Sequence, residues 1–136
     1  MVIDTNVVLD VWVFEDPQAA SLRLALAAGR LRWLATAAMR DELRRVLGYT
    51  QILRSLAYHQ RSAASVLQQF DVHAQLMPAA AKAPLTCKDA DDQKFIDLAL
   101  AQRCLLLSKD RAVLCLAKRL RALGVPVQAH WWAPSD

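Results

Sequence analysis

Strand-length apolar runs alternate with helix-length segments along almost the whole chain, which restricts it to an α/β fold built on a parallel sheet. Residues 1–3, 31–35, 72–76, 104–107 and 125–128 read as strands. Helices are expected over 7–14, over 17–28 with Asp16 as cap and Gly29 as stop, and over 37–47 between Thr36 and Gly48. A short helix near 51–56 and a longer one reaching Phe70 follow, then 91–102, then 112–123 ended by Gly124. Residues 77–88, with Pro78 and Pro84, read as a loop long enough to be functional or mobile. A length of 136 residues fits a single domain, 1–136, and no internal repeat is visible.

The acidic residues fall at telling places in that pattern. Asp4 closes the first strand and Asp110 follows the fourth. Glu42 lies in an arginine-rich helix, at the edge of the stripe formed by Met39, Leu43, Val46 and Leu47, and Asp91 and Asp92 open another helix. In an open α/β sheet, the carboxyl ends of strands and the starts of the following helices converge on one edge, where ligands bind. Two carboxylates roughly 4 Å apart repel by about 4 kcal/mol at an effective dielectric of 20, so acids gathered there imply a cation. An all-oxygen donor set selects Mg2+ or Mn2+ over zinc or copper, and a water beside such an ion is acidified enough to attack a phosphodiester.

Each acid also has a structural reading. Asp4 could cap a turn after its strand, with Thr5 and Asn6 orienting it or forming an Asx-type turn. Glu42 could pair with Arg44 or Arg45 at the surface. One of Asp91 and Asp92 could simply favour the helix macrodipole, and Ser108 or Asp110 could cap the helix that follows. The histidines His59, His73 and His130 are isolated, and Cys87, Cys104 and Cys115 lack the close pairing of zinc sites. His130, beside Trp131 and Trp132, belongs to a packed or partly ordered tail.

With 55% hydrophobic and 22% charged residues the chain reads as globular, and its apolar runs are too interrupted for a membrane helix. Met1 leads straight into a strand-like run with an acid at position 4, unlike a signal peptide, so a cytoplasmic location is expected. A net charge of +4 suits a polyanion that must approach an acidic centre, though the same arginines also serve as solvated helix faces.

Taken in order, Val2-Ile3-Asp4-Thr5-Asn6-Val7, Asp41-Glu42-Leu43-Arg44-Arg45-Val46-Leu47, Asp89-Ala90-Asp91-Asp92-Gln93-Lys94-Phe95 and Leu107-Ser108-Lys109-Asp110 resemble the PIN domain. Within that family the chain looks most like the toxin components of bacterial toxin-antitoxin pairs. The resemblance implies a three-layer α/β/α fold around a central parallel sheet and a metal-dependent endoribonuclease, with RNA as substrate and a cognate antitoxin as partner. Carried over, Asp4, Glu42, Asp92 and Asp110 match the four principal acids that would hold Mg2+ or Mn2+. Asn6 and Ser108 match supporting polar residues, and Asp89 and Asp91 match acids that precede the third ligand. Two departures stand out. Ser108-Lys109-Asp110-Arg111-Ala112 lacks a possible fifth carboxylate, and Ala90 replaces a usual proline.

Arg40, Lys88, Lys94, Lys109 and Arg111 are placed to receive flanking phosphates, and the apolar surplus together with the resemblance points to a homodimer. A PIN-like module that binds RNA or protein without cutting is the competing reading. A phosphatase with an aspartate nucleophile would need a second aspartate two residues on, where Asn6 stands.

Overall fold

The computed structural model describes residues 1–133. The last three residues of the domain expected over 1–136 lie outside it. Five strands are found among the described residues: β1 Val2–Ile3, β2 Trp33–Ala35, β3 Ala74–Leu76, β4 Leu106–Leu107 and β5 Val127–Gln128. β1 pairs with β4, β4 with β5 and β2 with β3, all parallel. The Met1 amino group donates to Arg32 O at 2.6 Å and Leu34 N donates to Met1 O at 2.8 Å, a parallel ladder pattern that sets β2 beside β1. The strand sequence across the molecule is therefore β3-β2-β1-β4-β5.

That order places a topological switch point between β1 and β4. The chain moves outward in one direction from β1 to β3, returns to the other side of β1 and continues to β5. Right-handed crossovers then put the helices before and after the return on opposite faces. The first group is α1 Thr5–Trp12, α2 Ala20–Ala27, α3 Ala37–Leu47, α4 Thr50–Tyr58 and α5 Ala63–His73. The second is α6 Gln93–Gln102, α7 Arg111–Leu114 and α8 Ala117–Ala122. Contacts follow this division: α1 touches α2 and α3, and α3 touches α4 and α5, whereas α6 packs on β1 and β4 and α8 on β5. The result is the three-layer α/β/α arrangement.

Because both faces are covered there, the central strands β1 and β4 are wholly apolar and Val2, Ile3, Leu106 and Leu107 are all buried, whereas the edge strands β3 and β5 carry Gln75 and Gln128. Under the first helical group, Trp33 stacks on Trp12 with ring centroids 5.4 Å apart and meets Phe70 edge-on at 5.0 Å. Trp131 also packs partly buried against the core, while Trp132 is exposed.

Several boundaries differ from the sequence expectation. The first helix starts at Thr5, two residues early, with the extended Asp4 as its N-cap residue. Pro17–Ala19 forms a 3-10 turn capped by Asp16, and α2 begins only at Ala20. α5 runs on to His73, shortening the third strand, and Ala90–Asp92 is a 3-10 turn preceding α6. The helix expected over 112–123 is broken near Cys115–Leu116, where Leu116 N turns back to Val113 O at 3.0 Å and its side chain is buried. The loop over 77–88 is tied down. Ala83, Leu85 and Cys87 are buried at every second position. Ala83 N donates to Asp97 Oδ1 at 2.8 Å and Cys87 N to Gln93 Oε1 at 2.7 Å, so the loop is bound along α6.

Candidate metal centre

β1 ends at Ile3 because Asp4 N still donates to Leu107 O at 2.8 Å while its own carbonyl starts α1. This directs the Asp4 side chain into the cleft at the switch point, where it makes no capping bond and is only 3% exposed. Ser108, at the end of neighbouring β4, donates its hydroxyl to Asp4 Oδ2 at 2.6 Å. Ser108 Oγ also accepts from Asp110 N at 3.1 Å, so one buried hydroxyl fixes both acids relative to the sheet. Asp110 in turn caps α7, its Oδ1 accepting from Ala112 N at 2.9 Å. The capping role and the pocket position thus coexist in that residue.

From the other side the bound loop delivers Asp89, whose Oδ1 accepts from Asp91 N at 3.0 Å and shapes the 3-10 turn. That turn separates its two acids: Asp91 is exposed, whereas Asp92 is 7% exposed and faces inward. Ligand atoms of Asp89, Asp92 and Asp110 lie within 4.8 Å of one another. Asp92 Oδ2 is buried with no hydrogen-bond partner among the described residues. A buried carboxylate oxygen left without a donor costs free energy unless a proton or a cation reaches it.

The electrostatics express the same conflict. Burial raises the Asp4 carboxyl to about 6, against the hydrogen bond from Ser108 that lowers it, with smaller upward pushes from Glu42 and Asp110. Asp92 is pushed higher, to about 8, first by burial and then by Asp4, Asp110 and Asp89. The cluster is short of positive charge.

Glu42 reaches the cleft from α3 on the opposite face and is 9% exposed. Its Oε2 accepts from the Thr5 hydroxyl and its Oε1 from Lys94 Nζ at 2.9 Å, so its partner is Lys94 and neither Arg44 nor Arg45. Lys94 also donates to the Asp91 carbonyl. The Thr5 hydroxyl is therefore directed to Glu42, while the Thr5 backbone hydrogen bond helps lower the Asp4 carboxyl, and Asn6 Oδ1 accepts from Lys109 N at 3.2 Å. Among the described residues, Ser108 alone supplies a side-chain hydrogen bond to Asp4. Asp4, Glu42, Asp89, Asp91, Asp92 and Asp110 all line one cavity of about 260 Å3, rimmed by Asn6, Arg45 and Tyr49. Within it Asp89, Asp92 and Asp110 form the close group, and Asp4 and Glu42 line the same cavity. Two pairings carry no local sequence signal because both span the fold: Lys94 with Glu42, and Lys109 Nζ with the buried Asp10 Oδ2 at 2.5 Å.

A parallel α/β sheet with a carboxylate-lined pocket at its switch point defines a protein of acidic-centre type. A family model described as the PIN domain matches residues 1–112, and the chain belongs to the PIN domain family. No curated protein matches it at a significant level. Membership gives the chain a nuclease-type fold of a family that typically uses divalent metals, and the three clustered acids fit such an ion. Among the described residues no helix is long and apolar enough to cross a membrane.

Proposed function

We propose that the chain is a Mg2+- or Mn2+-dependent endoribonuclease, working as one domain in the cytoplasm as the toxin half of a toxin-antitoxin pair. The observation that carries this reading is the unpartnered, buried Asp92 Oδ2 beside Asp89 and Asp110. Hard oxygen donors with no histidine or thiol among them suit these ions. Asp4, Asp92 and Asp110 would hold the metal, and Glu42 would join them by exchanging its bond from Lys94.

Such an ion, when bound, polarises a phosphoryl oxygen and supplies a nucleophile from water at neutral pH. The chain's own residues position it. Ser108 keeps Asp4 and Asp110 in register, Thr5 orients Glu42, and the Asp89 bond to the 3-10 turn aims Asp92 inward. Asn6, Asp89 and Asp91 support the principal acids.

The test is RNA cleavage by the purified chain with Mg2+ or Mn2+, lost with a chelator and with Asp4→Asn, alongside calorimetric titration of the metal. The toxin assignment predicts growth arrest on expression, relieved by co-expressing a small DNA-binding protein encoded next to it. A non-cutting binding module is favoured by one observation: both Glu42 oxygens are already engaged, by Thr5 and Lys94. RNA binding without cleavage in saturating Mg2+ would establish that reading instead.

A further inference from the structure

Of the five cations that the sequence placed beside the acids for flanking phosphates, three are already neutralised, while Arg45 lines the acidic cavity itself. Arg40 makes a two-point bond to Asp71 at 2.7 and 2.9 Å, Lys94 holds Glu42, and Lys109 holds Asp10. Lys88 and Arg111 are exposed and make no ion pair among the described residues. Lys88 directly precedes Asp89 and Arg111 directly follows Asp110, yet the two cations do not line the acidic cavity. They line a second one of about 330 Å3, with Ala112 and Cys115. The two sides of this groove are linked, because the buried Cys87 thiol donates to Ala112 O at 3.4 Å and ties the loop carrying Lys88 to the first turn of α7 carrying Arg111.

We infer that this groove binds backbone phosphate of the RNA strand beside the position to be cut, a step that rests on the nuclease reading above. The acidic cluster repels phosphate, so a strand crossing it needs positive charge immediately alongside, and only unpaired cations supply that in full. Here two of them flank the acids in the chain and share one concave surface with an apolar floor, where water screens charge less than it does over an open face. Arginine adds a planar fork that matches a phosphate with two parallel bonds. The groove thereby sets the direction in which the strand leaves the centre.

The experiment is fluorescence-anisotropy titration of a labelled single-stranded RNA oligonucleotide with the full chain carrying Asp4→Asn, with and without Lys88→Ala plus Arg111→Ala. Both side chains are exposed, so the core is untouched, and melting curves verify it. The double variant should bind about 10-fold more weakly, and the slope of log affinity against log salt should fall by about 1.4 in magnitude for two lost contacts to a single strand. A charge-matched control, Arg30→Ala plus Arg121→Ala, sits on residues preceding β2 and β5 at the opposite strand edge and should change binding less than 2-fold, an order-of-magnitude bound for non-contacting charges. Independently, RNA should slow alkylation of the exposed Cys115 in the protein with its natural groove.

Equal losses in both pairs, no RNA binding by the parent, or an alkylation rate indifferent to RNA would each overturn the groove. Cleavage with groove-independent binding leaves the nuclease reading intact and removes the groove. Groove-dependent binding without cleavage in the natural sequence does the reverse.

Discussion

Asp4 and Asp92 are both buried carboxylates, but Asp4 accepts from the Ser108 hydroxyl, whereas Asp92 Oδ2 has no hydrogen-bond partner among the described residues. Asp4→Asn keeps the acceptor that Ser108 needs and removes one negative charge from a crowded pocket. The metal-free variant should therefore melt no lower than the natural chain, while cleavage in Mg2+ falls further than the roughly 10–100-fold that loss of an outer-sphere partner costs. Undiminished cleavage by the cleanly purified variant would remove Asp4 from the centre. Asp91 and Asp92 are neighbours with opposite surroundings. Asp91 is exposed and interacts through its backbone, donating N–H to Asp89 and offering its carbonyl to Lys94. Asp92 points its bare oxygen at the pocket. Asp92→Asn should thus lose at least about ten times more activity than Asp91→Asn at saturating Mg2+, a difference of about 1.4 kcal/mol in the barrier. Equal losses, measured on the same RNA, would show that both acids serve the site alike.

Helices α3 and α6 come from opposite faces of the sheet and are joined at the pocket through Glu42 and Lys94. In the metal-free protein Lys94→Met should lower stability by about 1–3 kcal/mol, the range for leaving a buried polar group without its charged partner. Saturating Mg2+ should narrow that gap in chemical denaturation, because the ion replaces the cation removed. A gap unchanged by Mg2+ would mean that Glu42 stays out of metal binding. This pair also marks where the sequence stopped being legible. The strands, the parallel sheet and the helix Ala37–Leu47 follow from periodicity and caps that act within a few residues, and Thr36 does accept from Met39 N. The acids of the pocket were legible because strand ends and helix starts converge in any such sheet. Lys94 looked like a cation waiting for phosphate, since nothing local shows that a residue 52 positions away takes its charge. The 3-10 turn at Ala90–Asp92 was hidden for a related reason: Asp89 caps it locally, but the loop that presents Asp89 is fixed by Gln93 and Asp97.

Across the whole molecule the acidic pocket opposes folding unless a cation fills it, and the sign of that opposition gives a pH dependence. Asp4 and Asp92 have folded values raised to about 6 and about 8, above the ordinary aspartate value near 4. Between those limits the folded chain holds more protons than the unfolded one, so these two groups make stability fall as pH rises from about 4 to about 8. Below that window both states are protonated and the groups contribute no penalty; above it the penalty is constant. The steps belong to the cluster as a whole, since each acid raises the others. Divalent metal competes with those protons and neutralises the charge that costs stability. Mg2+ or Mn2+ should therefore raise the melting temperature more at pH 8 than at pH 5, and Asp92→Asn should flatten the metal-free dependence across the upper part of the window. Thermal melts at both pH values, with and without metal at equal ionic strength, provide the check. Equal metal-induced shifts at pH 5 and pH 8 would show that the ion binds away from these carboxylates, whatever the protein does to RNA.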